Sequence, residues 1–168
     1  MIKNMTKTAL TLLLMVALFQ VQAQKTNKGL MKQVLASKTK WKALKKEYKN
    51  CYTYVTSATS ALGGFTVRTY ITVKRGKITK AHRVTQYKKR AVGERRKKLS
   101  REERKKLKNL DEIYAFATEE LTKKSPKNNY IAFKVAENGI ISKAGYTPRN
   151  CMDDCFKGFA IDEVKRLK

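Results

Sequence analysis

Residues 65–86 read FTVRTYITVKRGKITKAHRVTQ, and the pattern in this stretch decides the fold class. Apolar and β-branched residues alternate with polar ones. Phe65, Val67, Thr69, Ile71 and Val73 share one face of a strand; Arg68, Tyr70 and Thr72 share the other. Lys74-Arg75-Gly76-Lys77 supplies a tight turn in which Gly76 is free to take positive φ, and residues 78–86 read as the return strand. Upstream, residues 51–57 (CYTYVTS) are aromatic and β-branched and read as a third strand, joined to the hairpin by a flexible turn at 60–64. Three strands linked in this way make an antiparallel sheet with one apolar face, and that face needs a cover.

The cover lies downstream. Leu107, Leu110, Tyr114, Ala117 and Leu121 fall at helical spacing. Ser100 with Glu103 and Asn109 with Glu112 both have the pattern of a helix start. The helix therefore runs unbroken from Ser100 or restarts near Asn109, and Ser125-Pro126 ends it after Lys124. Residues 130–135 and 140–146 read as two more strands around a Glu137-Asn138-Gly139 hairpin. The segment 156–167 reads as strand or helix, with Gly158 weighing against helix. Before the first strand, a helix at 38–49 places Trp41, Leu44 and Tyr48 on one face, after a polar lead at 24–37. The expectation is an α+β fold: an antiparallel sheet of about five to six strands packed against one long helix, with a short N-terminal helix. All of it forms a single domain over 38–168.

The N-terminus has the organisation of a cleavable signal peptide over residues 1–23. Lys3 and Lys7 precede an apolar run at 9–19 (ALTLLLMVALF), and Ala23 ends a Val-Gln-Ala cleavage site before Gln24. That run is eleven residues, whereas a spanning helix needs about 20. No cysteine follows the cleavage point to carry a lipid, since the first is Cys51. The expected product is exported, periplasmic or secreted, with no transmembrane anchor after cleavage.

Charge sets the expected partner. The chain carries 39 Lys+Arg against 13 Asp+Glu, a net +26; cleavage removes Lys3 and Lys7 and leaves +24. The excess is uneven. Residues 74–108 hold seventeen basic and three acidic side chains, whereas residues 109–168 are nearly balanced with ten and nine. Within 87–108, a basic insertion in the domain, the candidate polyanion-binding residues are Lys88, Lys89, Arg90, Arg95, Arg96, Lys97, Lys98, Arg101, Arg104, Lys105 and Lys108. On a helix from Ser100, Arg101, Lys105 and Lys108 would lie along one face with Arg104 beside them. A field of this size attracts anionic polymers. The alternative is a solvated, lysine-rich surface that binds nothing. Nucleic-acid readers pair basic residues with exposed aromatics, for which Tyr52, Tyr54, Tyr70 and Tyr87 are the candidates. Export argues against nucleic acid and for an anionic envelope or extracellular polymer, or else an acidic partner protein.

The order of elements resembles an uncharacterised family of small exported bacterial proteins, a domain of unknown function. Its members carry a Trp-bearing first helix, a Tyr-x-Tyr strand and a Val-x-Val-x-x-Gly-x-Val hairpin. The residues that carry the resemblance are Trp41, Tyr52 and Tyr54, the 71–78 hairpin (ITVKRGKI), 110–114 (LDEIY) and 162–164 (DEV), over about 41–167. The family's Tyr-Asp-Pro and Gly-Tyr-Pro motifs and its hairpin cysteines are absent. The resemblance implies the fold and export, and it implies no activity, ligand or site residue.

The chemistry-bearing residues point away from catalysis. His82 is the one histidine and lies mid-strand beside Arg83, where a cation disfavours its protonated form. No Gly-x-Ser-x-Gly, His-Glu-x-x-His or phosphate-loop motif occurs. Asp153-Asp154 offers too few oxygens for calcium. Neighbouring acids on a strand, such as Asp162-Glu163, point to opposite faces. Asp111 and Glu112 are explained by the helix N-terminus that they favour. Three cysteines suit one disulfide: Cys151 with Cys155 closes a small loop, and Cys51 with either of them is the next pairing. The expectation is a non-enzymatic protein with no cofactor and no metal.

Overall fold

The computed structural model describes residues 27–60, 62–87, 95–152 and 155–167. The signal segment 1–23, the start of the polar lead, the candidates Lys88, Lys89 and Arg90, and Asp153-Asp154 lie outside the described residues.

Helix α1 (Lys28–Glu47) begins where the Asn27 side chain accepts from the Leu30 N–H at 3.0 Å. It starts ten residues before the expected position. Leu30, Val34, Ser37 and Trp41 form a buried stripe that continues the Trp41 face toward the N-terminus. Residues 28–37 are therefore not a polar lead. Ser37 interrupts the apolar pattern there, and it is buried because its hydroxyl is hydrogen-bonded to Tyr114 Oη at 2.7 Å.

Among the described residues the sheet has seven strands, all pairs antiparallel: β1 (Tyr52–Ser60), β2 (Phe65–Lys74), β3 (Lys77–Tyr87), β4 (Arg95–Lys98), β5 (Asn129–Val135), β6 (Ile141–Pro148) and β7 (Lys157–Arg166). Their order is β4-β3-β2-β1-β7-β6-β5. The β2–β3 hairpin turns on Arg75 and Gly76 at φ 49° and 77°, the two positive values that a twist-matched two-residue turn needs. Its inner face buries Thr69, Ile71, Val73 and Ala81, the alternation expected from the sequence. β7 joins the two halves of the sheet: residues 161 and 163–166 pair with β1, and residues 157–160 pair with β6. The segment left open between strand and helix is thus a strand.

Among the described residues, three α-helices accompany the sheet. After α1 come α2 (Arg101–Lys105) and α3 (Leu110–Glu119), and a 3₁₀ turn (Leu121–Lys123) follows α3. Of the two courses read from the sequence, the restart near Asn109 is the one found, so no single long helix forms: the chain leaves the helix at 106–109, and α3 begins with its own capping box, in which Asn109 accepts from Glu112 N at 3.0 Å and Glu112 accepts from Asn109 N at 2.8 Å. The break is fixed from the sheet side. Tyr54 Oη donates to Lys108 O, Tyr52 Oη accepts from Leu110 N at 3.1 Å, and Asn109 Nδ2 donates to Gly76 O at 3.1 Å. α3 buries Leu110, Ile113, Tyr114 and Ala117 in one cluster with Trp41, Tyr52, Tyr54, Ile71, Val73 and Ile141. Trp41 meets Tyr52 edge-on at 4.9 Å between ring centroids and donates from Nε1 to Asp111 at 2.9 Å; Lys45 binds the other oxygen of Asp111 at 2.6 Å. Asp111 thus ties α1 to the start of α3.

Cys151 and Cys155 form the expected disulfide, with Cα atoms 6.3 Å apart, and Cys51 is a half-buried free thiol. No helix of the described residues is long and apolar enough to cross a membrane.

Candidate functional site

The basic segment forms part of the sheet. Arg95–Lys98 is four consecutive cations, a composition poor in β-propensity. It pairs with β3 as His82↔Lys98, Arg83↔Lys97, Val84↔Arg96 and Thr85↔Arg95. What holds it is the next residue. Leu99 is 1% exposed, belongs to the core cluster, and donates its N–H to Ala81 O at 3.0 Å. The edge of β3 offers backbone hydrogen bonds to any extended segment, and charged residues protect such an edge from further pairing.

Strand alternation divides the four cations. Arg96 and Lys98 lie on the face that carries His82, and Arg95 and Lys97 lie on the other. Ser100 caps α2 by accepting from Glu103 N at 3.2 Å, while Glu103 accepts from Ser100 N at 2.8 Å and from Lys97 Nζ at 2.8 Å. The Lys97 hydrogen bond, followed by the Ser100 N–H, holds the Glu103 carboxyl down at about 2. Arg104 folds back from α2 and donates to Leu99 O at 2.8 Å. Arg96, Lys98, Arg104, Lys80 and His82 then line one open groove of about 690 Å³. Among the described residues, no carboxylate lines it. Among the described residues, none of Arg96, Lys98 and Arg104 is paired with an acid.

His82 is held on two sides in this groove. Its ring stacks on Tyr70 at 4.8 Å with planes 1° apart, and Arg96 approaches Nε2 at 2.9 Å. A guanidinium has donors only, so Nε2 accepts and the ring proton resides on Nδ1. Burial, and after it the Arg96 charge, hold the imidazole below its ordinary value.

The structure thus sorts the candidates read from the sequence. It brings Arg96, Lys98 and Arg104 together. Lys97, Lys105 and Lys108 are held by Glu103, Glu102 and Glu112 at 2.8, 2.9 and 3.4 Å. Arg95 and Arg101 are exposed outside the groove. Lys108 lies beyond the end of α2, so the row of Arg101, Lys105 and Lys108 along one helix does not form. Sequence reasoning missed Lys80 and considered His82 only for catalysis; both enter the groove through a strand pairing that no local pattern announces. Tyr52 and Tyr54 are core residues and offer no stacking surface, and their phenols are pushed well up by burial. Tyr70 is occupied by His82, while Tyr87 is exposed. Among the described residues no three metal-ligating side chains cluster.

Fold and groove together define an α+β domain with a seven-stranded antiparallel sheet and a cation-lined edge. No family model matches this chain, and neither does any curated protein or solved structure.

Proposed function

We propose that this chain is an exported, non-enzymatic protein that binds an anionic polymer of the envelope or extracellular space through the basic edge of its sheet. One observation carries the reading: cations from three elements, β3, β4 and α2, converge on one groove that is lined by no carboxylate among the described residues. Cations used only for solubility spread out or pair with neighbouring acids, as Lys105 and Lys108 do. Export rests on the signal-like N-terminus and accords with the Cys151–Cys155 disulfide, which suits an oxidising compartment. An intact mass beginning at Gln24 checks it.

The binding test replaces Arg95, Arg96, Lys97 and Lys98 with Gln and follows heparin and lipopolysaccharide binding across a salt series. Polyanion docking requires weaker binding and a shallower salt dependence, by about 2 units at ~0.9 for each of Arg96 and Lys98, the two of the four that line the groove, for duplex-like charge density. An unchanged slope in a folded variant refutes the reading. Tight binding to an acidic protein with little salt dependence would identify a protein-binding or inhibitor module instead.

A further inference from the structure

We propose that the groove between β3, β4 and α2 is a site for one tetrahedral oxyanion ester, a phosphate or sulfate group carried on a sugar unit, and that His82 takes up a proton when the ester binds. The inference rests on the polyanion reading and deepens it, because it names the group on the polymer that is recognised and the residue that responds.

The donor set fits the group. Arg96 and Arg104 present planar forks suited to two oxygens of one anion, and Lys98 adds a mobile point charge. Arg104 is pre-positioned, since one of its donors is anchored on Leu99 O and the rest of its fork remains for a ligand. Glu103 follows Arg101 and Glu102 on the same short helix, yet it is directed to the opposite side, where Lys97 and Ser100 occupy it. The groove therefore concentrates positive charge, and an oxyanion ester, singly charged as a sulfate and up to doubly charged as a phosphate, relieves the mutual repulsion. Its volume of about 690 Å³ far exceeds a lone four-oxygen anion, and it lies in the range of sites that take a ring-sized ligand. The charged group thus enters with its carrier.

The geometry at His82 supplies the response. Arg96 donates to Nε2, an arrangement that only the neutral ring accepts. Among the described residues, the groups facing the ring are Tyr70 from β2, Arg96 and Lys98 from β4, Lys80 on its own strand and Arg104 from α2. None of them is an acid that would favour the charged ring. An oxyanion that engages Arg96 draws this donor away and leaves Nε2 open. A protonated Nε2 then donates to the anion, while the Tyr70 stack keeps the ring plane fixed. Binding and proton uptake are linked, so affinity rises as pH falls, by at most about tenfold per pH unit for one proton.

Calorimetry on the mature chain with glucose 6-sulfate and glucose 6-phosphate from pH 5.5 to 8 tests the site. The sulfate ester does not titrate in this window, so any pH response belongs to the protein. The expected result is one site per chain, tighter binding at low pH, and an uptake approaching one proton when two buffers of different ionisation enthalpy are compared. Arg104→Gln on α2 and Lys98→Gln on β4 each weaken binding about tenfold or more, and His82→Gln still binds but loses the pH response. The tighter of the two esters identifies the source, and either preference supports the site. Binding unaffected by Arg104→Gln and Lys98→Gln in folded variants overturns the site, and a pH response retained in His82→Gln overturns the proton coupling. If wild type ignores both esters while the four-Gln variant still loses its salt-dependent heparin binding, this inference fails and the polyanion reading stands. If heparin binding is unchanged in that variant, the polyanion reading itself fails.

Discussion

Tyr114→Phe should be among the most damaging single-atom changes in this protein. The Tyr114 hydroxyl sits where α1, α3 and β6 meet, and the residue is 1% exposed. It accepts from Ile141 N at 3.0 Å, lies 2.7 Å from Ser37 Oγ and donates to Ser37 O at 3.2 Å. One O–H donor and two acceptor positions are all used, and burial holds the phenol above its ordinary value against the lowering by the Ser37 and Ile141 hydrogen bonds. Removing the oxygen leaves the buried Ile141 N–H without an acceptor, at about 1–3 kcal/mol, and forfeits the bond to Ser37 O, at about 1 kcal/mol. The expected loss is about 2–4 kcal/mol, equivalent to a Tm decrease on the order of 10 °C for a domain of this size. Ser37→Ala is the control. It removes one partner but leaves the hydroxyl bonded to Ile141 N and Ser37 O, so it should cost no more than about 1 kcal/mol. Urea unfolding of both variants, with unchanged m, measures the difference. A Tyr114→Phe cost within about 0.5 kcal/mol of zero, or equal costs for the two variants, would refute the claim that this hydroxyl organises the junction.

Two further outcomes test the architecture. Glu103 has its carboxyl lowered from 4.5 to about 2, chiefly by Lys97. Its contribution is therefore present above the ordinary value and disappears as pH falls through the folded one. Glu103→Gln should flatten the pH dependence of the urea midpoint between about pH 5 and 2, and an unchanged acid limb would contradict the Lys97–Glu103 link between β4 and α2. Reducing Cys151–Cys155 opens a loop of sequence separation 4, which the chain-entropy model values at about 2 kcal/mol, so the reduced protein should stay folded with a modestly lower midpoint. Unfolding on reduction would assign the disulfide a larger role than a local staple.

The sequence by itself determined those parts whose energetics are local. The 65–86 hairpin is legible because period-two alternation and an Arg75-Gly76 turn with two positive φ values point to the same register. The second hairpin is legible in the same way, with Asn138 Oδ1 accepting from Ile140 N at 3.2 Å and Gly139 at φ 75°. α3 announces itself through its capping box and apolar spacing. The Cys151–Cys155 pairing follows from proximity along the chain. Tertiary structure decided what depends on partners far away in sequence. Leu30 and Val34 extend α1 because α3, the 3₁₀ turn and β5 give them a surface to bury against. Arg95–Lys98 becomes a strand against its own propensity, since β3 has an open edge and Leu99 anchors the segment in the core. β7 is shared between β1 and β6, a division set by pairing geometry rather than by its residues. The groove follows from these choices. Charge composition shows that cations are abundant, but only the β3–β4 register and the Leu99–Arg104 contact place His82, Arg96, Lys98 and Arg104 around the same space, because side chains converge through backbone pairing that spans separate elements.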